Sequence, residues 1–313
     1  MSDGIANSKV SVRRLAWVAG ALTTACLALV SSPSAHQSGP TPKVRLNKII
    51  ERFERGQPAF YGEHWVYFGI EHNPFLLDDA GGRARWFPKD VPYSTDLKTM
   101  LANLRPKGST QPRLTPVVRI AQEGNEEFNY VVKQLLDVGV FGIILPGVDT
   151  PAQALKLVRA MRYPPQRDAK HPEPIGVRGW GSALARQYWG LSDLEYAQRA
   201  DVWPLNPDGE LLAIVMIETR EAVVNIEEIL SVPGIGGALV GPYDLSLSLG
   251  VGTPAPNPAA PEVLSAMDTV AKSCVAHHML CGAFGALAEA DVNATVARGF
   301  KLFPTRGSGS PPR

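Results

Sequence analysis

An α/β domain built as a (β/α)8, TIM-type barrel with a shortened first βα unit is the fold the sequence predicts. Three observations carry this. Strand-like runs such as Leu211–Ile217 are continuously apolar and rich in Val and Ile, as expected of parallel strands buried on both faces. Between such runs stand segments with helical apolar spacing, bounded by Ser or Thr starts and Gly or Pro stops. The candidate strands number roughly eight, the count that closes a barrel. No glycine-rich fingerprint follows the first strand and no phosphate-cradling loop is present, which disfavours a nucleotide-binding sheet.

The 313 residues suffice for one large α/β domain with a full core. A net charge of +1 gives no sign of a nucleic-acid partner. The 29 glycines and 27 prolines are scattered, which suits many βα loops. At the N-terminus, Arg13 and Arg14 precede an apolar run over 15–30 and then the small residues 31–35, the order of a secretory signal. Residues 1–40 are therefore expected to be a signal peptide and linker, with 41–313 as the domain and a periplasmic destination. An uncleaved membrane anchor is the alternative. Cys274 and Cys281 could pair, and buried free thiols are the competing reading.

In chain order, Leu46, Ile49, Ile50 and Phe53 have helical spacing, ended by Gly56. Residues 58–61 and 65–70 read as strands, the second running into Glu71-His72-Asn73-Pro74. Residues 75–93 lack a period and read as loop, and 96–104 as helix. A buried strand over 115–120 carries the charge of Arg119. Helix 125–138, strand 141–145 and a helix from Thr150-Pro151 to Met161 follow. Residues 176–190 have three glycines and two arginines without period, expected to be a long loop at the active edge or an excursion. Their aromatics Trp180, Tyr188 and Trp189 would line the pocket mouth or pack. A capping box at Ser192–Glu195 starts a short helix, and 203–209 is a turn. The remaining expectations are a helix from Thr219 to Pro233, a strand over 238–240, helix 261–278, strand 280–284, helix 287–298 and strand 300–303.

The chemistry concentrates at strand ends. Glu218 ends one buried strand, and Asp244 follows the next, after Gly241-Pro242. One βα repeat separates them, so the two carboxylates belong to neighbouring parallel strands at the edge where barrels place chemistry. With no positive charge between them they repel, and a divalent cation relieves this. The bland reading of each acid is a strand-end ion pair. Arg119 and His72 are polar residues at other strand ends, where a buried ion pair and a simple strand cap are the alternatives.

The segments KQLLDVGVFGIILPGVDT, AMRYPP, VRGWGSALAR, IETREAVVNIEEIL and GPYDLSLSLG, in order over 115–250, resemble the metal-dependent class II pyruvate aldolases of the 4-hydroxy-2-oxoheptanedioate aldolase and citrate lyase β-like superfamily. The resemblance implies that Glu218 and Asp244 bind Mg²⁺ or Mn²⁺, with Co²⁺ also possible. It implies that Arg119 contacts the bound 2-oxo acid and that His72, in a segment like the family's EHxP, transfers the proton. The backbone near Tyr243 and Asp244 would hold the substrate carboxylate, and Arg178, Ser182 and Arg186 would shape the pocket. The implied reaction is cleavage of 4-hydroxy-2-oxo acids to pyruvate and an aldehyde by a homo-oligomer.

The chain departs from the family pattern in four places. Gly69 stands where an aspartate orients the histidine, Met216 where a glutamine is usual, and Tyr243 where a small residue is usual. The 58–72 stretch has room for two strands but hardly for the helix that should join them. Gly69 and the shortened first unit favour the alternative of an exported, non-catalytic protein that binds metal and oxo acid; the intact Glu218, Asp244 and Arg119 favour the enzyme.

Overall fold

The computed structural model describes residues 44–61, 65–69, 73–77, 84–86, 115–120, 123–283 and 292–304. The expected signal segment, the 96–104 helix and His72 lie outside these residues. Among the described residues, no helix is long and apolar enough to cross a membrane.

The elements are α1 (Lys48–Glu54), β1 (Ala59–Tyr61), β2 (Trp65–Gly69), β3 (Asn73–Leu77), β4 (Ala84–Trp86), β5 (Val117–Arg119), α2 (Asn129–Val138), β6 (Gly142–Leu145) and α3 (Pro151–Met161). There follow α4 (Ala183–Trp189), α5 (Asp193–Arg199), β7 (Val202–Trp203), β8 (Leu211–Ile217), α6 (Arg220–Val224), α7 (Ile226–Leu230), β9 (Gly237–Val240) and α8 (Pro242–Ser248). The last four are α9 (Pro261–Ala276), β10 (Leu280–Ala283), α10 (Val292–Ala297) and β11 (Leu302–Pro304).

The sheet order is β1-β11-β10-β9-β8-β6-β5-β2-β3-β4, with β7 beside β8. From β1 to β2 every pairing in this order is parallel, a run of eight strands. β3 and β4 then extend the sheet antiparallel beyond β2, which overturns the reading of 75–93 as loop alone. Strands of three and five residues are too short to show a period in sequence.

Strands β5, β6, β8, β9, β10 and β11 divide their described residues between two cores. Val117, Ile144, Leu212, Ile214, Met216, Leu239, Leu280 and Leu302 form an inner cluster with Ala59, Trp203 and the α1 residues Ile49 and Ile50. Ala59 of β1 and Val117 of β5, from well-separated strands of the run, share that cluster, so the sheet curls around it. The intervening strand residues, among them Val118, Ile143, Ala213, Val215 and Ala238, pack outward against the helices. The architecture is thus mixed α/β with a curled parallel sheet; among the described residues, no β1–β2 pairing closes it. Only three residues separate β1 from β2, too few for a joining helix, as the sequence suggested.

α1 stoppers the end of the inner cluster at which the strands begin. Asn47 caps α1 through Ile49 N–H at 3.0 Å, and its amide donates to the Glu210 carbonyl at 2.9 Å. The Asn47 N–H binds Glu210 Oε2 at 2.9 Å, and Arg199 pairs with the other oxygen. Glu210 is fully buried, immediately before β8.

Residues 163–200 also belong to that end. Helix α4 occupies much of the stretch expected to lack structure. Trp189 is buried, stacks on Phe141 at 4.3 Å and donates its indole N–H to the Gly139 carbonyl at 2.8 Å. Arg178 donates to Asp137 and to the Tyr196 hydroxyl, both at 3.0 Å. Asp137 and Gly139 stand where α2 ends and β6 begins, the edge away from Glu218. The 176–190 segment is therefore an excursion at the opposite edge, which corrects the active-edge expectation for Arg178, Ser182 and Arg186. Cys274 and Cys281 are buried free thiols.

Candidate active site

Alternation along β8 aims the central residue. Leu212, Ile214 and Met216 face the inner cluster while Leu211, Ala213, Val215 and Ile217 face the helices, so Glu218 turns inward at the C-terminal end. The same parity in β5 puts Val117 and Arg119 inward and Val118 outward. Register places Arg119 beside Ile144, and Ile144 beside Ile214. Arg119 is 5% exposed and Glu218 7%, so both charges are largely withdrawn from water.

Three local features hold Glu218. The Gly147 N–H, on the turn leaving β6, donates to Oε1 at 2.8 Å. Gly147 has φ +60°, a left-handed conformation that glycine adopts without steric cost. Gly241, just after β9, passes so close that a Cβ there would lie 2.5 Å from Glu218 Oε2. The next residue, Thr219, caps α6 through Ala222 N–H at 3.0 Å and donates its hydroxyl to Asp149.

Burial is the main cause that raises the Glu218 pKa, to about 7; the Gly147 N–H opposes it, Asp244 raises it, Arg119 lowers it and Glu123 raises it. Arg119, Asp244 and Glu123 thus lie close enough for their charges to be felt at Glu218. Asp244 is exposed and belongs to the first turn of α8, where the sequence placed it at a strand end. Tyr243 is half-exposed on the same turn, and no side chain caps that helix. Among the described residues, no three His, Cys, Asp or Glu gather closely enough to hold a metal.

The structure therefore brings together Glu218, Asp244 and Arg119 from the sequence-predicted set. Sequence reasoning passed over Gly147, Gly241 and Glu123. The two glycines carried a usable signal, because each stands within two residues of a strand end, in PGVD and VGPYD. Glu123 carried none beyond its position four residues after Arg119.

The model of the HpcH/HpaI aldolase/citrate lyase family matches residues 59–303. The hydroxypyruvate/pyruvate aldolase of Deinococcus radiodurans is 34% identical over 213 residues, 67% of this chain and 68% of that protein. The 4-hydroxy-2-oxo-heptane-1,7-dioate aldolase of Shigella flexneri is 41% identical over 205 residues, 65% of this chain and 67% of that protein. In fold, the chain is similar to a HpcH/HpaI aldolase/citrate lyase family protein from Burkholderia cenocepacia, with a TM-score of 0.58 at 22% identity, covering 82% of this chain and 91% of that one. With curated relatives above 30% identity and a family match that runs from the first strand to the last, this chain belongs to the HpcH/HpaI aldolase/citrate lyase family.

Proposed function

We propose that the protein is a divalent-metal-dependent aldolase that cleaves 4-hydroxy-2-oxo acids to pyruvate and an aldehyde, and catalyses the reverse condensation. The observation that carries the reading is the buried Glu218 carboxylate, with Asp244 and Arg119 acting on it at the C-terminal edge of the curled sheet. The aldolase names of the relatives support it. The same reading completes the sheet as a (β/α)8 barrel.

The residues fit a cation. A carboxylate whose pKa is raised by burial, and further by a neighbouring carboxylate, is one that a cation stabilises. Glu218 and Asp244 would hold Mg²⁺ or Mn²⁺, with Co²⁺ a further option, through hard oxygen donors. A pair of protein carboxylates leaves room for substrate oxygens, as Mg²⁺ sites commonly do. When bound, such an ion supplies Lewis-acid polarisation of the substrate's keto group.

The chain's own groups account for the remaining steps. As the C3–C4 bond breaks, its electron pair moves toward the keto oxygen, and the Arg119 guanidinium faces that growing negative charge from a nearly dry position. The Gly147 N–H and the backbone at Gly241 fix the rotamer of Glu218, so the acid is in place before substrate arrives. The 4-hydroxyl must lose its proton as the aldehyde leaves. We assign that transfer to His72 by the resemblance of its EHNP segment to the family's. No lysine Schiff base is required.

The test is pyruvate release from simple 4-hydroxy-2-oxo acids with added Mg²⁺, Mn²⁺ or Co²⁺, with Glu218→Ala as the control. Tight metal and oxo-acid binding without turnover would sink the enzyme. A second reading, an exported binding protein without catalysis, is favoured by Gly69 at the end of β2 and by the three-residue link between Tyr61 and Trp65. Export itself is proposed from the basic, apolar and small-residue order of the N-terminus, and periplasmic fractionation tests it.

A further inference from the structure

We propose that Asp149 is a positioning residue of this site: it ties the turn that carries the Gly147 donor to the junction of β8 and α6 that carries Glu218. The inference rests on the metal-dependent reading of the site and adds to it a residue that acts on the carboxylate through another group.

The N–H, the carbonyl and the side chain of Asp149 are each engaged. The N–H donates to Gln153 Oε1 at 2.7 Å, which fixes the start of α3. The carbonyl accepts the side-chain amide of Asn225 at 2.8 Å, from 76 positions further along the chain. The carboxylate accepts the hydroxyl of Thr219, 70 positions away and next to Glu218. Asn225 stands between α6 and α7, where an asparagine side chain ordinarily caps the helix that follows. It makes no such cap, and its amide reaches Asp149 instead.

These bonds frame Glu218. The Val148 N–H meets the Met216 carbonyl at 3.5 Å, two residues before the glutamate, and the Asp149 carboxylate meets Thr219, one residue after it. Between the two ties, the Gly147 N–H meets Glu218 Oε1 at 2.8 Å. Gly147 has no side chain with which to anchor itself, so its donor stays where its neighbours hold it. The Gly124 N–H grips the Pro146 carbonyl at 3.0 Å from the β5 side, which leaves the side facing Glu218 to Asp149. The bond from Thr219 to a carboxylate is of the charge-assisted kind, stronger than one between neutral groups. Asp149 is not itself a ligand, because among the described residues no three acids, histidines or cysteines gather around one point.

The experiment uses the full chain and two readouts. In chelator, amide hydrogen exchange at Gly147 is followed by mass spectrometry on short peptic fragments that span the turn. Mn²⁺ affinity is then measured by calorimetry. Asp149→Ala is expected to speed the exchange roughly tenfold or more, as a local opening, and to weaken Mn²⁺ binding roughly tenfold. Asp149→Asn keeps an oxygen for the Thr219 hydroxyl and should retain most of both. Thr150→Ala removes the α3 cap from the same turn; it should lower the urea midpoint and leave both readouts near their wild-type values. Gly147 exchange in Asp149→Ala equal to that of the unaltered chain overturns the proposal, as does faster exchange with unchanged Mn²⁺ affinity or an Asp149→Asn variant as impaired as Asp149→Ala. In each of these cases the metal-dependent reading stands. An unaltered chain that binds no Mn²⁺ overturns that reading, and this proposal with it.

Discussion

Gly241 and Glu218 share one space: a Cβ on the glycine would lie 2.5 Å from Oε2 and 2.9 Å from Cβ of the glutamate. The chain leaving β9 thus forms a wall against the carboxylate leaving β8. Gly241→Ala must displace one of them, and a small-to-large change in such a place costs about 1–3 kcal/mol. The expected outcome is a modest loss in urea unfolding together with a drop of roughly tenfold or more in Mn²⁺ affinity by calorimetry, as for a ligand moved off its position. Unchanged Mn²⁺ affinity would count against Glu218 as a ligand.

The raised pKa of Glu218 has a definite sign in stability. Its folded value of about 7 lies above the ordinary value of 4.5, so its favourable contribution is full below about pH 4.5 and is lost as pH rises through 7. Metal-free protein should lose roughly 2–3 kcal/mol between pH 5 and pH 8 relative to Glu218→Gln, measured by urea unfolding in chelator. Protons and cation compete for the same oxygens, so Mn²⁺ affinity should fall as the solution is acidified below pH 7. A wild-type and variant pair with parallel pH profiles would contradict both expectations.

Arg119 presents a nearly buried guanidinium to a site that holds two carboxylates. Its fixed charge is expected to act on the growing enolate more than on the bound oxo acid. Arg119→Lys shortens the side chain and removes the planar fork, and should lower kcat by about 100-fold with a smaller change in KM. Steady-state kinetics on any accepted 4-hydroxy-2-oxo acid reads this. A change confined to KM would reassign Arg119 to uniform substrate binding.

Glu210 offers the contrasting case. It lies at the start of β8, about 25 Å of strand from Glu218. Removing its carboxylate in Glu210→Ala strands Arg199 and the Asn47 N–H, and breaking a buried ion pair on one side costs about 3 kcal/mol. The midpoint in urea should fall strongly, while kcat per folded molecule and Mn²⁺ affinity stay at their wild-type values.

The strands and their order were legible because unbroken apolar runs such as Leu211–Ile217 need no tertiary information to be recognised. Glu218 and Asp244 were legible for a related reason: a charge directly after such a run has few structural uses. Three things were not. β3 and β4 are too short to show a period. The helix at Ala183–Trp189 is hidden by surrounding glycines and arginines, and depends on tertiary contacts such as Trp189 on Phe141. Which edge the 176–190 segment serves depends on Arg178 meeting Asp137, a contact across 41 positions that no local pattern reveals.

The inward aim of Glu218 is inherited through seven uninterrupted residues from the floor of the sheet, where Leu212 first sets the alternation. Loss or gain of a single codon within that stretch would send the carboxylate among the helices and an aliphatic side chain into the site, without disturbing the hydrophobicity of either layer. The turns at Gly147 and Gly241 are bound by the same carboxylate, so they share the constraint. Length variation in this lineage should therefore be forbidden between 211 and 218 and at these two turns.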